Sequence, residues 1–258
     1  MKSMYYYFIL FIFIFSGCST MYIPSPKNIP LFEEKGEVKI EVGTSTNSIF
    51  ATGSYAFSKK YALIANSAFS FRYFSDLYDL GDLRSYSETT IFSGGVDVAH
   101  RSFEAGIGRY NLMKNSNRLL EIFTGVGYGD GIFENKDYHS RYFNGFIQTN
   151  TYRKSKNLEM GWSFYANYVY FNYKHPVYIR IPDEMRLKEE IMNSNFSLIQ
   201  PGVIMFMMFG GEHLKFTIRN GINLAYPLSS NCPIKTNSSD TENTVFHISI
   251  GLSYRFKI

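Results

Sequence analysis

Apolar and polar residues alternate with a period of two through most of the chain from Gly36 onward. In the clearest run, every even position from Phe246 to Ile258 is apolar, and every odd position between them is polar or glycine. Successive side chains of a β-strand point to opposite faces, so this pattern predicts strands with one apolar and one polar face. The only candidate helix is 183–192, and it falls inside a predicted connection.

The alternation predicts ten strands, joined by connections of two kinds. The strands are 36–45, 48–57, 61–74, 102–112, 118–130, 139–152, 157–172, 195–209, 213–226 and 243–257. Short turns fall at 58–60, 114–117, 153–156 and 210–212, whereas long polar segments lie near 75–100, 130–140, 174–194 and 227–242. Short and long connections on opposite ends are typical of outer-membrane barrels.

Strands with one apolar face fit two architectures. In a soluble β-sandwich the apolar face forms the core, and in a transmembrane barrel it contacts lipid. The predicted strands are long enough for a tilted membrane crossing, which needs roughly 9–11 residues. Tyrosines close the apolar stripes, where an interfacial aromatic girdle would lie: Tyr73, Tyr128, Tyr170, Tyr226 and Tyr254. We therefore predict an all-β fold, a closed antiparallel up-and-down transmembrane barrel of about ten strands, with eight or twelve as alternatives. A soluble periplasmic β-sandwich lipoprotein is the competing architecture.

In such a barrel the polar faces line the lumen, and the charges on them predict a luminal network. Its members are Glu37, Glu41, Glu104, Glu121, Glu159, Lys215, Arg219, Arg255 and Lys257. We place His213 and His247 on the same faces. Closure brings the first strand beside the last, so Glu37 or Glu41 is expected within salt-bridge distance of Arg255 or Lys257. A ten-stranded lumen is only slightly wider than one that side chains fill, which predicts a narrow lumen plugged by charges. A small pore or transport channel is the alternative.

The N-terminal residues have a different pattern. Lys2 precedes an apolar run from Met4 to Phe15, which is too short to cross the roughly 30 Å hydrocarbon core and fits a signal peptide. The following Ser-Gly-Cys resembles the lipobox of bacterial lipoproteins, which predicts a covalent lipid on Cys18. Residues 18–35 contain three prolines and no periodicity, and they predict an extended periplasmic tether. The predicted organisation is a signal peptide (1–17), a lipid-anchored tether (18–35) and a barrel (36–258).

Composition and motifs exclude several functions. Aromatic residues make up 18% of the chain, too much ring surface for a disordered protein. The 26 Lys and Arg residues barely exceed the 22 Asp and Glu residues, so we expect no nucleic-acid partner. The five histidines lack metal-ligand spacing, and the alternate glycines from Gly125 to Gly131 fit a lumen face. His139 and Ser140 are adjacent on a strand and point to opposite faces. We expect no catalytic residues, no enzymatic activity, no metal and no cofactor besides the lipid.

Two stretches carry a family resemblance. The lipobox followed by Tyr22-Ile23-Pro24 and by residues 28–37 resembles the start of small outer-membrane β-barrel lipoproteins of Bacteroidetes-type bacteria. The C-terminal Tyr254-Arg255-Phe256, with Ile258 last, resembles the aromatic signal read by the barrel-assembly machinery. The resemblance implies an outer-membrane location, with lipoprotein-processing and barrel-assembly machinery as partners. We expect a monomer, and any extracellular ligand or protein is unknown. Ser19-Thr20-Met21 does not look like the acidic export signal of surface lipoproteins. We therefore expect a periplasmic N-terminus with its lipid in the inner leaflet.

Overall fold

The computed structural model describes residues 26–45, 48–70, 99–111, 118–133, 138–155, 157–180, 187–228 and 244–258. They form a single antiparallel sheet. Its strands are β1 (Glu37–Ser45), β2 (Ser48–Tyr55), β3 (Tyr61–Phe69), β4 (Ala99–Arg109), β5 (Arg118–Phe133), β6 (Tyr138–Lys154), β7 (Leu158–Arg180), β8 (Leu187–Gly210), β9 (Leu214–Leu224), β10 (Tyr226–Pro227) and β11 (Thr244–Lys257). Within these ranges, no helix is long and apolar enough to span a membrane.

The sheet closes on itself. Neighbouring strands pair in sequence order from β1 to β9, β11 pairs with β9, and β1 pairs with β11 from Glu37 opposite Lys257 to Ser45 opposite Ser249. Strand β10 has two residues and pairs with β8 in the same register as β9. The break between β9 and β10 lies opposite Pro201. Proline has no N–H to donate to a ladder, which accounts for the break. The fold is thus a ten-stranded closed barrel, as predicted, and a two-sheet sandwich is excluded.

Strand ends differ from the prediction at one end of the barrel. Strands β7 and β8 pair along their whole length, from Leu158 opposite Phe209 to Arg180 opposite Leu187. The predicted connection at 174–194 is therefore mostly strand, and the candidate helix at 183–192 is wrong for residues 187–192. Similarly, β5 and β6 leave only 134–137 between them. In these hairpins the ladder satisfies the backbone groups, so a strand forms without an alternating sequence.

The connections define two ends of the barrel. The first and last residues of the barrel wall, and the strand ends that border 56–60, 110–117, 155–157 and 211–213, lie at one end, here called the termini end. The strand ends that border the other connections, including the long ones at 70–98 and 228–243, lie at the other end, called the far end. In outer-membrane barrels short turns face the periplasm and longer loops face outside.

The barrel is apolar outside and polar inside. Exterior positions such as Val126 and Phe143 are 69% and 63% exposed, whereas Asn167 and Gln200 on the interior are at most 1% exposed. Exposed apolar side chains occur on each of the ten long strands, for example Ile40, Ile49, Leu63, Phe103, Val126, Ile147, Trp162, Ile199, Phe216 and Leu252. This distribution is that of a transmembrane barrel in contact with lipid.

The glycines of β5 lie on the interior face, as predicted, and they make room for neighbouring side chains. A Cβ added at Gly127 would lie 2.3 Å from Asn144 Oδ1, and one at Gly129 would lie 2.2 Å from the Tyr142 ring. Both positions therefore need glycine for the interior side chains of β6 to fit across the strand.

Candidate functional site in the barrel lumen

Residues 26–33, here called the luminal segment, lie inside the barrel. Lys27, Ile29, Leu31 and Phe32 are at most 1% exposed. The segment bonds to interior-facing groups on β1, β2, β3, β4, β5, β6 and β11. Only the lumen is within reach of all these strands. The predicted tether is therefore wrong for residues 26–33, and residues 18–25 lie outside the described residues.

Apolar side chains of the luminal segment fill both sides of the lumen. Ile29 and Leu31 pack in one cluster, which holds Tyr152, Tyr165, Ile204, Phe206 and Met208 from β6, β7 and β8. Phe32 packs in a second cluster with Ala56, Ala62, Ile64, Tyr110, Phe123 and Phe146. Burying each of the three apolar side chains contributes about 1.5–3 kcal/mol. The segment is thus part of the protein core.

The backbone of the segment is held by Glu121 of β5. This fully buried carboxylate accepts hydrogen bonds from the backbone N–H of Phe32 (2.6 Å) and Leu31 (3.3 Å), and from Asn150 Nδ2 (3.1 Å). Leu31 has a φ of 57°, a left-handed conformation that costs an L-residue about 1–2 kcal/mol. The charge-assisted bonds to Glu121 offset that cost. Glu121 therefore anchors the segment by its main chain.

Farther into the lumen, the segment carries a buried ion pair. Lys27 Nζ lies 2.9 Å and 3.0 Å from the two carboxylate oxygens of Glu104. The same carboxylate accepts from Asn66 Nδ2 (3.0 Å) and Asn144 Nδ2 (2.8 Å). The Lys27 ammonium also lies 4.6 Å from the centre of the Phe146 ring. Glu104 thus has three donors, of which one comes from the segment.

Asn28 links the segment to both sides of the lumen. Its side-chain Nδ2 donates to the carbonyl of Gly53 at 2.8 Å, and its own carbonyl accepts from Gln148 Nε2 at 2.7 Å. The carbonyl of Ile29 accepts from Lys39 Nζ at 2.6 Å. Because these groups lie on β2, β6 and β1, they fix the segment across the width of the lumen.

The predicted charges form two further groups on the barrel wall. Arg219 Nη2 lies 2.6 Å from Glu41, which Lys39 approaches at 3.8 Å. Glu159 lies 2.6 Å from Lys215 and 3.4 Å from Arg255. These two groups and the Glu104 and Glu121 sites contain seven of the nine predicted network residues, all buried or partly buried.

The expected ion pair across the β1–β11 seam is wrong, although the pairing of these strands is confirmed. Glu37 accepts from the backbone N–H of Glu33 (3.1 Å) and Glu34 (3.2 Å) instead. Lys257, which is 60% exposed at the rim, pairs with Glu34 at 2.5 Å. Glu33 likewise pairs with Lys154 on β6. Glu37 and Lys257 thus bind residues 33 and 34, just before β1, instead of each other.

The predicted network lacks two cations of the site. The alternation places Lys39 on the polar face of the first strand, between Glu37 and Glu41, and the structure adds it to the network. Lys27 has no such signal because its surroundings are aperiodic. His213, predicted in the lumen, is exposed at the termini end with Nδ1 3.1 Å from the Arg255 carbonyl. His247 is half-buried, with Nδ1 3.4 Å from Asn223 Nδ2.

The remaining predicted residues are at the edges of the described chain or beyond them. Tyr254 and Ile258, of the predicted assembly signal, are 50% and 81% exposed, and the ring of Phe256 lies 5.9 Å from that of Tyr254. Cys18 lies outside the described residues, as do the signal peptide and the His139 side chain. In the described part of the chain, no cluster of three or more His, Cys, Asp or Glu side chains could hold a metal ion.

A closed antiparallel barrel with an apolar exterior and a charged interior has the architecture of bacterial outer-membrane proteins. No protein-family model matches the chain, and no curated protein matches it. Among solved structures, it is similar to the outer-membrane protease OmpT of Escherichia coli (14% identity, 85% of this chain and 92% of that one, TM-score 0.47). It is also similar to the N-terminal barrel domain of Pseudomonas aeruginosa OprF (8%, 87% and 100%, TM-score 0.32) and to the KdgM porin (7%, 85% and 99%, TM-score 0.34).

Proposed function

We propose that the protein is a lipid-anchored outer-membrane β-barrel of structural or surface-interaction type, without enzymatic activity, whose lumen is closed by the luminal segment. The observation that carries this proposal is the burial of Lys27 against Glu104 inside the barrel. The lipid anchor would be Cys18, and the connections of the far end would meet an extracellular ligand or protein.

The ion pairs and apolar contacts of the segment support closure. A conducting barrel would need the segment to leave the lumen, which would leave Glu104 without its cation and Glu121 without its backbone donors. Removing one partner of a buried ion pair costs about 3–5 kcal/mol. Three apolar side chains would also lose their contacts. The closed form is therefore strongly favoured over an open pore.

Conductance across a planar bilayer tests closure. The purified chain should give no steps over a range of voltages, whereas a variant lacking residues 26–32 should give discrete steps. A matched control removes the same number of residues from the 228–243 connection at the far end and should stay silent. Steady conductance by the unaltered chain would favour the alternative, a small pore or transport channel, and refute a closed lumen.

Labelling with radioactive palmitate tests the anchor. Full-length chain expressed in a bacterium with lipoprotein-processing machinery should carry the label in the outer-membrane fraction. The Cys18→Ser variant should lose the label, and Cys232→Ser should keep it. A labelled Cys18→Ser variant, or an unlabelled parent chain, would contradict lipidation at Cys18.

A further inference from the structure

The luminal segment runs lengthwise along the barrel, and its contacts show which way the chain goes. On β6, the Phe32 carbonyl accepts from Tyr152, near the termini end, whereas the Asn28 carbonyl accepts from Gln148, four positions farther along the strand. At Lys27 the contact is with Glu104 in the middle of β4. Five residues at about 3.3 Å each cover roughly 16 Å. Followed toward its N-terminus, the chain thus rises from the termini end to the middle of the lumen.

The direction is the same along the β4–β5 pair. Glu121, which binds Leu31 and Phe32, is three positions from the start of β5 at the termini end. Glu104, which binds Lys27, stands opposite Gly127, six positions beyond Glu121. Pro26 is buried as well. The chain is therefore still inside the barrel at its first described residue.

A return to the termini end would need a second passage beside the segment. At that level, Ile29, Leu31 and Phe32 are at most 1% exposed, and they pack against clusters on both sides of the lumen. A second extended chain needs about 4.7–4.9 Å of separation and partners for its backbone groups. A second passage at that level would have to displace these contacts, whereas a chain that continues toward the far end leaves them in place.

We infer that the chain leaves the barrel at the far end, so that Cys18 is carried to the outer face of the outer membrane and its lipid enters the outer leaflet. This inference rests on the proposed lipid anchor and reverses the inner-leaflet location expected from the sequence. The length of chain is sufficient. From Cys18 to Pro26 an extended chain covers about 26–29 Å, and Glu104 lies five positions from the far-end start of β4, about 16 Å of strand.

Cleavage on intact cells tests the side on which Cys18 emerges. A recognition site for a specific protease is inserted between Thr20 and Met21 in the full-length chain, and the cells are labelled with radioactive palmitate. The same recognition site placed between β1 and β2, at the far end, is the control for exposure on the cell surface. Protease added to intact cells should remove most of the label from the barrel band as fast as it cuts this control site. The same recognition site in the 155–157 turn, at the termini end, should be cut only after the outer membrane is permeabilised.

The outcomes separate the inference from the proposed function. Cleavage at Thr20–Met21 only after permeabilisation, with the label present, would overturn the inference and leave the lipid-anchored barrel intact. Absence of label in the uncut chain would refute the lipid anchor, while the size shift on cleavage still reports the side of exit. Folding of each variant is checked by heat-modifiable migration, and an insertion between Ser19 and Thr20 serves if the first variant does not fold.

Discussion

Substitution of the Lys27–Glu104 pair tests whether these two side chains are buried together in the lumen, because a large loss of stability is expected only for a buried pair. We predict that Lys27→Met, which keeps an unbranched side chain of similar length, strongly destabilises the barrel. At 2.9 Å the attraction is about 6 kcal/mol with an effective dielectric constant of about 20, and desolvation of both charges opposes it. Glu104 would keep only its two amide donors, so the expected loss is about 3–5 kcal/mol of unfolding free energy.

A double-mutant cycle isolates the pair. Glu104→Gln alone leaves Lys27 buried without an anion and should cost a similar amount. The double variant Lys27→Met/Glu104→Gln removes both charges and should be less destabilised than the sum of the single variants, by about 1–3 kcal/mol. Such a coupling is expected only if the two side chains are in contact inside the lumen.

The single tryptophan provides the assay. Trp162 is on the exterior face of β7 and 47% exposed, so its fluorescence shifts when unfolding moves it from lipid to water. Urea titrations of barrel in lipid vesicles then give the unfolding free energy. The control is Arg101→Met, which breaks the exposed pair with Asp130 and should leave the midpoint almost unchanged. A Lys27→Met midpoint equal to that of Arg101→Met, or strict additivity in the cycle, would refute a buried pair.

Three other predictions use the same protein. Phe32→Ala should cost about 3–5 kcal/mol by emptying a core position, and the lipid-facing Phe103→Ala should cost clearly less in the same urea titration. Gly125→Val should abolish the heat-modifiable band, since its Cβ would lie 2.2 Å from a backbone carbonyl oxygen of β4, whereas Gly53→Val should fold because no atom lies within 4 Å. Phe256→Ala should lower the amount assembled in cells but not refolding in vesicles; equal losses in both would argue against an assembly signal.

The strands and their faces could be predicted because alternation is a local property. From Phe246 to Ile258, even positions are apolar and odd positions are polar or glycine, so the position of each residue predicts the face of the strand on which it lies. The pairing of the first strand with the last follows from an even number of antiparallel strands. The ends of β7 and β8 could not be predicted in this way. In the described part of the chain, residues 175–180 and 187–192 pair only with each other, beyond the end of the ladder between β6 and β7, so the closed sheet does not dictate an alternating sequence there.

The luminal segment could not be predicted because most of the contacts that hold it are distant in sequence. Lys27 and Glu104 are 77 positions apart, and Asn28 and Gln148 are 120 apart. Prolines remove both periodicity and regular hydrogen bonding, so residues 26–33 have the same pattern as a solvated linker. The three buried apolar residues Ile29, Leu31 and Phe32 were the one available signal, since a linker in water has no need of them.

The β1–β11 seam determines when the barrel can enclose its own N-terminal residues. The luminal segment directly precedes β1, and Glu37, the first residue of that strand, holds the turn between them. Once the seam is paired, the wall has no lateral opening, so a side-on entry of the segment is possible only before the first and last strands meet. Seam closure would then be the step at which Lys27 and Glu104 lose their water, and it would complete the ladder and the core together. Unfolding from the seam would have to expose a buried ion pair to proceed, which makes the closed barrel kinetically as well as thermodynamically resistant to opening.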